Sequence, residues 1–433
     1  MKNTIYIETY GCQMNEADTN IIRKILTDHN FVFTDNKDNA RIILLNTCSV
    51  RDNADRKEFN RVKYLKYKNP NLLIGILGCL ATSAKEKLLD KKLDIDFFVG
   101  PDNYLGLPEI INKVLTDKEK TYDISISGLE TYEHIYAHGK NELNAWIPIM
   151  RGCNNFCSYC VVPYARGPER SRNFESIIKE ITRLAEENCT QVTLLGQNVN
   201  SYNDNGHTFA ELLEKVSEIK NIERIRFVSP HPKDLSSKVI EIMAAKNNIC
   251  KQIHLPLQSG STRILKMMNR TYTKNDFLSL VSEIRKTIPD IVLTTDIIVG
   301  FPTETDADFK DTVEVFKKAA FDSAFIFKYS PRPQTFAAEN YEDDVPEAIK
   351  TKRIVKLNQI QKEFSLKKNK AHIGQIHKVL VEAVETKRNK NEFLGRNDGH
   401  KIVVFPKGNY RVGDYLNIKI TAASANSLRG IVC

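Results

Sequence analysis

The chain has 433 residues, of which 41% are hydrophobic and 27% are charged, which is the composition of an ordinary globular protein with two or three domains. It has neither an apolar stretch of about 18 residues nor an apolar leader, so we expect a cytoplasmic protein without a membrane span. Its nine cysteines are scattered, which indicates metal or catalytic ligands rather than a disulfide framework. Cys189, Cys250 and Cys433 have no motif around them, and we interpret them as ordinary buried or terminal cysteines.

The net charge of +9 is concentrated in the C-terminal fifth of the chain. Residues 349–370 hold eight Lys or Arg and one Glu, and residues 371–433 hold ten Lys or Arg and five acidic residues. The rest of the chain is weakly acidic. This asymmetry favours a polyanionic partner such as RNA, and a solvated helix face is the alternative.

Three strand-like apolar runs near the start of the chain each end just before a cysteine. The runs cover residues 4–10, 40–45 and 72–77, and the cysteines are Cys12, Cys48 and Cys79, here called the N-terminal trio. Helical segments separate the runs, which predicts a parallel sheet covered by helices. Loops at the carboxyl ends of parallel strands meet at one edge of the sheet, so the trio is expected to converge. It is a candidate three-thiolate site, with unrelated buried cysteines as the alternative.

Composition also predicts the domain boundaries. We expect an N-terminal parallel-sheet domain over residues 1–118, closed by a further strand at Ile95–Gly100. A polar, irregular linker is expected over 119–142. A second domain is expected over 143–370 and a small C-terminal domain over 371–433.

The most informative stretch runs from Met150 to Gly167. It contains Cys153, Cys157 and Cys160, here called the loop trio, at a three-then-two spacing. Three thiolates this close can hold one iron–sulfur cube through three of its irons, which leaves the fourth iron open to a small molecule. A structural zinc site is the alternative, although it usually needs a fourth Cys or His at ligand spacing.

This spacing, with Tyr159 before the last cysteine, resembles the radical S-adenosylmethionine superfamily. In that superfamily S-adenosylmethionine chelates the open iron. One electron from the cube then cleaves S-adenosylmethionine and gives a 5′-deoxyadenosyl radical. Six strand–helix units are predicted, too few for an eight-unit barrel but matching the partial (βα)6 barrel of these enzymes. The predicted strands lie just before the loop trio and at residues 191–196, 224–228, 252–257, 291–300 and 323–329.

Residues 349–370 are predicted to form a long basic connector helix with an apolar stripe at Ile354, Leu357, Ile360 and Phe364. The rest of the chain alternates short strands with glycine turns. That pattern predicts a small β-barrel that binds RNA in the manner of OB-like modules, and a structural appendage is the alternative.

Together, the segments resemble the methylthiotransferases over essentially the whole chain. That family joins a three-cysteine N-terminal domain, a radical S-adenosylmethionine domain and an RNA-binding barrel called TRAM. The matching motifs are Gly11–Asn15, Asn46–Ser49, Gly78–Cys79, Gly152–Gly167, Leu255–Gly260, Met268–Arg270, Asp296–Pro302 and Tyr329–Arg332. The resemblance implies an α/β chain with a Rossmann-like N-terminal parallel sheet, a central partial (βα)6 barrel and a small C-terminal β-barrel.

Within the family, Leu194–Tyr202 resembles the branch that acts on isopentenyladenosine of tRNA. The alternatives are the branch acting on threonylcarbamoyladenosine, which usually carries His and Gly in that loop, and a non-catalytic iron–sulfur protein that binds RNA or senses redox state. Gln334, Phe336 and Thr303 stand where the family usually has Gly, Pro and Gly, and Leu80 begins an uncommon continuation of Gly-Cys.

The resemblance implies radical methylthiolation of carbon 2 of N(6)-dimethylallyladenosine at position 37 of tRNA, next to the anticodon. It implies one [4Fe-4S] cluster at each trio and two molecules of S-adenosylmethionine per turnover. One molecule would methylate a sulfur at the N-terminal trio, and the other would be cleaved at the loop trio, with the two open irons facing one cavity. The expected partners are the tRNA anticodon stem-loop and a flavodoxin-type electron donor. The chain itself is expected to be a monomer.

The resemblance and the rim position also give candidate contact residues. Tyr159, Gly196 and Gln197 are candidate cofactor contacts. Asn198 and Asn200 are candidate contacts to the base. For Gln197, Asn198 and Asn200, bracing of their own loop by hydrogen bonds is the alternative role.

Overall fold

The structure is a computed structural model that describes residues 3–49, 52–89, 93–117, 119–138, 142–385 and 389–433. The chain forms two compact units. The first consists of Met1–Thr208, Ile219–Asn221 and Ser330–Tyr341, and the second of Phe209–Glu218, Ile222–Tyr329 and Glu342–Cys433. Within the described ranges, no helix is both long and apolar enough to cross a membrane.

The first unit begins with a six-stranded parallel sheet. Its strands are β1 (Thr4–Thr9), β2 (Val32–Phe33), β3 (Ile42–Thr47), β4 (Leu73–Gly78), β5 (Phe97–Val99) and β6 (Thr121–Asp123). The helices are α1 (Gln13–Asp28), α2 (Asp52–Lys68), α3 (Cys79–Ser83), α4 (Lys85–Leu88) and α5 (Leu107–Asp117). The spatial order is β2-β1-β3-β4-β5-β6. Strand β3 is buried at every position, as expected for a central parallel strand covered on both faces, and the predicted sheet is confirmed.

The prediction of an irregular linker is wrong in part. Strand β6 lies inside it and pairs in parallel with β5. Its three residues are too few and too polar to give a strand pattern in the sequence. Further along, Tyr132 is buried, and its hydroxyl donates to the Pro101 carbonyl at 2.8 Å, so this segment packs on the N-terminal sheet. Residues 139–141 of the predicted linker, and the boundary residue 118, lie outside the described residues.

Residues 142–208 complete most of the first unit. Their elements are β7 (Asn144–Pro148), β8 (Met150–Arg151), α6 (Val162–Arg166), β9 (Arg170–Ser171), α7 (Phe174–Glu186), β10 (Gln191–Leu195), β11 (Asn203–Asp204) and β12 (His207–Thr208). Strands β7 and β10 pair in parallel, with α7 between them in the sequence. Strands β8 and β9 pair antiparallel and close the base of the loop that carries the loop trio.

Residues 209–329 supply the remaining strand–helix units. Their elements are α8 (Phe209–Ser217), β13 (Arg224–Phe227), α9 (Ser237–Ala245), β14 (Gln252–His254), α10 (Thr262–Met267), α11 (Lys274–Thr287), β15 (Val292–Val299), α12 (Asp306–Ala319) and β16 (Ser323–Lys328). Strand β15 pairs in parallel with both β14 and β16. Thr273 and Thr305 begin α11 and α12 with capping boxes, which fix where these helices start. All six predicted strands of the central segment are present in the predicted order.

The last elements are α13 (Phe336–Asn340), α14 (Glu347–Lys370), β17 (Ile376–Ala383), β18 (Glu392–Arg396), β19 (Ile402–Pro406), β20 (Tyr415–Ala423) and β21 (Leu428–Val432). Helix α13 belongs to the first unit. The five final strands form a closed barrel in the order β17-β18-β19-β21-β20 around a core that includes Val379, Phe393 and Phe405. The predicted small barrel is confirmed.

The predicted apolar stripe of α14 is wrong in part, since Ile354, Ile360 and Phe364 are only half-buried. Its buried residues are Lys350, Arg353, Leu357, Gln361, Ser365 and Asn369, of which only Leu357 belongs to the predicted stripe. Polar side chains can be buried here because they find partners in the same unit: Gln361 donates to the Phe321 carbonyl at 3.0 Å, and Ser365 donates to the Asp322 carbonyl at 2.7 Å.

In the second unit, the barrel contacts the amino-terminal ends of the central strands. Arg224, at the start of β13, donates to the carbonyl oxygens of Arg396 at 2.8 Å and Lys378 at 2.7 Å. Asp322, just before β16, accepts from Lys401 at 2.8 Å. These contacts leave the carboxyl ends of β13, β15 and β16 away from the barrel, and those ends are where sites form in such folds.

Candidate active site

The N-terminal trio lies at the ends of neighbouring parallel strands. Cys12 precedes α1 as its N-cap residue, Cys48 follows β3, and Cys79 begins α3 directly after β4. Gly11 has φ +105°, and a Cβ there would lie 2.3 Å from Cys48 Cβ, so glycine is required where these two loops meet. The structure therefore brings the three cysteines together, as the parallel sheet predicts.

Charged side chains that sequence reasoning missed surround this trio. Arg166 donates from Nε to Cys79 Sγ at 3.1 Å and from Nη2 to Asp18 at 2.8 Å and Asn15 at 3.0 Å. Arg151 donates to the second oxygen of Asp18 at 2.8 Å. Asp18 is 0% exposed, so its charge is neutralised by these two arginines. Arg166 stands in a motif that the sequence shows, but its partner Asp18 is 148 residues away and leaves no local pattern.

The electrostatic environment differs between two members of the trio, and it favours the thiolate at Cys12. Hydrogen bonding with Cys48, together with the Arg166 guanidinium, lowers the pKa of Cys12 to about 6. Burial raises the pKa of the Cys79 thiol, although Arg166 opposes this. Burial alone would lower the pKa of Arg166, but Cys79 and Asp18 outweigh it and keep that pKa well above its usual range. Thiolates are the form that binds metal.

The loop trio lies in a long loop whose two ends are joined by the antiparallel pair β8 and β9. Cys153 donates its backbone N–H to the Gly167 carbonyl at 3.2 Å, and a turn joins Cys157 and Cys160 through a 2.9 Å backbone hydrogen bond. Gly152 has φ +74°, and a Cβ there would lie 1.9 Å from the Pro168 carbonyl oxygen. The glycine of this motif is therefore a packing requirement of the loop.

The two trios lie near each other within the first unit. Helix α3, which begins at Cys79, packs against α6, which follows Cys160. Cys153 and Cys157 are buried, while Cys160 is half-buried, and burial raises the pKa of Cys153. The first unit therefore contains both cysteine trios, on adjoining elements.

Both trios fit an iron–sulfur cube by their donor atoms. Within the described residues, no group of three Cys, His, Asp or Glu side chains is arranged to bind a single metal ion. A cube with one open iron takes three protein thiolates, which is the number and type of donor that each trio offers. The buried guanidinium of Arg166 adds positive charge next to the sulfur of Cys79.

The candidate contact residues after β10 occupy the carboxyl end of that strand. A Cβ on Gly196 would lie 2.5 Å from Met150 Cγ, so glycine lets the chain pass the residue that begins β8. The Oε1 atom of Gln197 is buried and has no hydrogen-bond partner. Asn198 is buried, and its carbonyl accepts from Ser201 Oγ at 2.8 Å. Tyr159 and Asn200 are half-buried.

Other family motifs meet within the second unit. Arg270 donates from Nη2 to the Pro256 carbonyl at 3.0 Å and from Nε to Tyr272 at 3.0 Å. His254 and Asp296 lie on neighbouring strands with a 3.2 Å separation between Nε2 and Oδ2. Both side chains are partly exposed. Sequence reasoning did not single out this polar pair.

Two departures from the family pattern lie at left-handed backbone positions. Gln334 has φ +68° and Thr303 has φ +63°. Such values favour glycine, which explains why the family usually carries Gly there. Thr303 is held in place because its backbone N–H donates to Asp344 at 2.7 Å and its carbonyl accepts from Arg263 at 2.7 Å.

Three family models match the chain. The Uncharacterized protein family UPF0004 matches residues 4–100, the Radical SAM superfamily matches residues 147–316, and the TRAM domain matches residues 370–433. The first two matches include the N-terminal trio and the loop trio, respectively.

Curated relatives match over nearly the whole chain. A tRNA-2-methylthio-N(6)-dimethylallyladenosine synthase from Phocaeicola vulgatus is 43% identical and covers 98% of this chain and 95% of the relative. A protein of the same name from Azobacteroides pseudotrichonymphae is 45% identical, covering 98% of this chain and 96% of the relative. A third, from Porphyromonas gingivalis, is 44% identical, covering 99% and 94%.

Solved structures agree on the fold. The radical S-adenosylmethionine methyltransferase TsrM from Kitasatospora setae aligns with a TM-score of 0.59 at 12% identity, covering 78% of this chain and 74% of that one. The cobalamin-dependent S-adenosylmethionine radical enzyme OxsB aligns with a TM-score of 0.52 at 14% identity, covering 84% and 56%. With the relatives above, the three domain matches show that the chain belongs to the family of tRNA-2-methylthio-N(6)-dimethylallyladenosine synthases, a family of radical S-adenosylmethionine methylthiotransferases.

Proposed function

We propose that the chain transfers a methylthio group to carbon 2 of N(6)-dimethylallyladenosine at position 37 of tRNA, next to the anticodon. The names of its relatives describe this product. The observation that carries the proposal is that both cysteine trios lie in one compact unit, in which α3, which begins at Cys79, packs against α6, which follows Cys160. Carbon 2 carries an unactivated aromatic hydrogen that no side-chain base removes readily, so the reaction needs radical chemistry.

The loop trio would hold the [4Fe-4S] cluster that binds S-adenosylmethionine. Bound there, the cofactor supplies a 5′-deoxyadenosyl radical on one-electron reduction. Gln197 supports a cofactor site at the end of β10, because its buried Oε1 can accept a hydrogen bond from a ligand. Gly196 keeps the chain close to Met150, and Tyr159 lies within the cysteine loop as a half-buried ring that could contact the cofactor's adenine.

The N-terminal trio would hold the second cluster, where the sulfur that is transferred is methylated by another S-adenosylmethionine. Cys12 is the exposed member and Cys48 and Cys79 are buried, so the site opens toward solvent on the side of Cys12. The base must be unstacked to reach such a site, since a ring carbon is inaccessible inside a stacked loop. Asn198 and Asn200 are the residues we assign to contacts with that base.

The tRNA would contact the C-terminal barrel and the exposed face of α14. Three of the eight basic residues in α14 are used inside the second unit: Lys350 pairs with Asp343, Arg353 with Glu304, and Lys368 with Asp322. The other five are exposed, namely Lys352, Lys356, Lys362, Lys367 and Lys370. An exposed lysine row fits a phosphate backbone. We also expect a flavodoxin-type electron donor, a monomer and a cytoplasmic location.

Nucleoside analysis of tRNA tests this function. Total tRNA is taken from a strain lacking the gene and from the same strain carrying the wild type or the Cys153→Ala/Cys157→Ala/Cys160→Ala variant. We expect 2-methylthio-N(6)-dimethylallyladenosine to be absent without the gene, with N(6)-dimethylallyladenosine accumulating, and to return only with the wild type. Loss of the methylthio form of threonylcarbamoyladenosine instead would assign the chain to that branch. No change in either nucleoside would contradict a tRNA activity and favour a non-catalytic iron–sulfur protein.

A further inference from the structure

A buried ion triad joins the two cysteine sites of the first unit. Asp18 lies on α1, the helix that begins after Cys12, and it is fully buried. Its two oxygens accept from Arg151 and Arg166, each at 2.8 Å. Arg151 precedes the loop trio and Arg166 follows it, so one carboxylate binds both ends of the cysteine loop.

Arg166 makes a further contact that a purely structural ion pair does not need. Its Nε donates to Cys79 Sγ at 3.1 Å. Its Nη1, like Nε and Nη1 of Arg151, is buried without a hydrogen-bond partner. A buried guanidinium with open donors is costly unless an acceptor reaches it, and sulfur atoms bound to iron are acceptors of this kind.

The contrast with another buried arginine in the same unit is informative. Arg172 is also buried and pairs with Glu180, and it donates to Ser176 Oγ at 2.9 Å. Arg172 has no atom among the buried unpartnered groups of the described residues, whereas both arginines of the triad do. Within the described residues of the first unit, open arginine donors therefore occur beside the cysteine sites and not at Arg172. Arg226 and Arg353 of the second unit also carry such atoms, so the direct contact between Arg166 and Cys79 is the observation that links this arginine to the trio.

We propose that Arg166 is a positioning residue for the iron–sulfur cluster of the N-terminal trio. It holds the Cys79 sulfur by a hydrogen bond and, through Asp18, fixes that sulfur relative to the loop trio. The inference rests on the proposed function, because it assumes a cluster at each trio. Hydrogen bonds to ligand sulfurs and nearby positive charge favour the more negative, reduced cluster, so Arg166 raises the reduction potential of this cluster.

Redox titration of the full chain, followed by electron paramagnetic resonance, tests this role. Placing the substitutions in the Cys153→Ala/Cys157→Ala/Cys160→Ala background isolates the N-terminal cluster. We expect Arg166→Gln to move that cluster's potential to more negative values and to lower its iron retention during gel filtration by about half or more. Arg166→Lys keeps the charge but cannot contact Cys79 and Asp18 together, so an intermediate shift is expected. Arg172→Gln, the matched control, should leave the potential unchanged.

The outcomes separate failure of the role proposed for Arg166 from failure of the proposed two-cluster function. An unchanged potential in both Arg166→Gln and Arg166→Lys would overturn the role of Arg166 while leaving the two-cluster function intact. If Arg166→Gln does not fold, Arg166→Lys decides alone by the same measurement. If the parent protein binds no iron at the N-terminal trio, the proposed function fails instead, which distinguishes the two failures. An equal shift in Arg172→Gln would show a general packing effect and would also overturn the proposal.

Discussion

Gln197 illustrates how one buried atom can indicate a binding role. Its Oε1 is buried without a hydrogen-bond partner at the carboxyl end of β10, where sites form in such folds. We predict that Gln197→Ala weakens S-adenosylmethionine binding by about tenfold, the effect of one lost hydrogen bond. Equilibrium dialysis of the reconstituted protein without oxygen measures this. The matched control is Gln191→Ala, since Gln191 donates to Asn144 within the sheet at 3.0 Å and should change stability only. Equal affinities for Gln197→Ala and wild type would refute the assignment.

Gln334 carries a backbone conformation that its side chain disfavours. It has φ +68° and is exposed. We predict that Gln334→Gly raises the free energy of unfolding by about 0.5–1 kcal/mol, because glycine adopts this region without a Cβ clash. Urea unfolding measures the change. Gln334→Ala keeps the Cβ and should match the wild type; a gain of the same size in that variant would contradict the strain argument.

At the residue scale, the sequence predicted the six cysteines but not what surrounds them. Convergence of Cys12, Cys48 and Cys79 follows from a parallel sheet, because each follows a strand. The Asp18–Arg166 pair could not be predicted in this way, since a buried pair between distant segments has no period or spacing. The sequence showed that Gln334 and Thr303 stand where the family usually has glycine, and both residues have left-handed backbone angles in the structure.

At the scale of elements, one carboxylate links three parts of the second unit. Asp322, just before β16, binds Lys368 of α14 and Lys401 of the barrel domain. Asp322 accepts from Lys401 at 2.8 Å and from Lys368 at 2.9 Å, and its side chain is 6% exposed. We predict that Asp322→Asn lowers the free energy of unfolding by about 2–4 kcal/mol, because it leaves two buried or half-buried ammonium groups without their counter-charge. Chemical denaturation followed by fluorescence measures this.

A surface pair provides the control for that prediction. Lys378 and Glu223 also join the barrel to the central segment, but their side chains are 53% and 46% exposed. Solvent screens such a pair, so Glu223→Gln should cost less than about 1 kcal/mol. Equal losses in both variants would contradict the view that burial makes Asp322 important.

The same carboxylate predicts a pH dependence. Burial alone would raise the pKa of Asp322, but Lys401 and Lys368 outweigh it and hold that pKa below its ordinary value of 3.8. Because the folded pKa is the lower one, the stabilisation is present above pH 3.8 and is lost as pH falls below it. Unfolding free energies measured at pH 6 and near pH 3 should therefore differ more for the wild type than for Asp322→Asn. An identical acid dependence in the two proteins would refute this.

Elements with strong local patterns were predicted well, and those defined by tertiary contacts were not. Helices α7 and α11 begin directly after Asn173 and Thr273, whose side chains cap them, and such N-cap residues are a local signal that the sequence carries. The buried face of α14 was misassigned because its polar residues are buried with hydrogen-bond partners far away in the sequence. Strand β6 was missed because three polar residues carry no periodicity.

At the scale of the whole molecule, the uneven charge distribution predicts where RNA binds. We predict that the triple variant Lys362→Gln/Lys367→Gln/Lys370→Gln lowers tRNA affinity by about tenfold at 0.1 M salt and reduces the salt slope of log Kd by about 2–3, since each phosphate contact contributes roughly 0.7–0.9. Filter binding at several salt concentrations measures both. The control is Lys318→Gln, because Lys318 is also exposed on a helix but pairs with Glu314 at 2.7 Å. An unchanged salt slope in the triple variant would exclude this helix face from the tRNA interface.

Iron and sulfide analysis after anaerobic reconstitution tests the central claim most directly. The proteins compared are the wild type and two triple Ala variants, one lacking Cys12, Cys48 and Cys79 and the other lacking the loop trio. Two cubes, each held by three thiolates, predict about eight irons per wild-type chain and about four in each variant. About four irons in the wild type, all lost with the loop trio, would contradict the account and leave a radical enzyme with a single cluster.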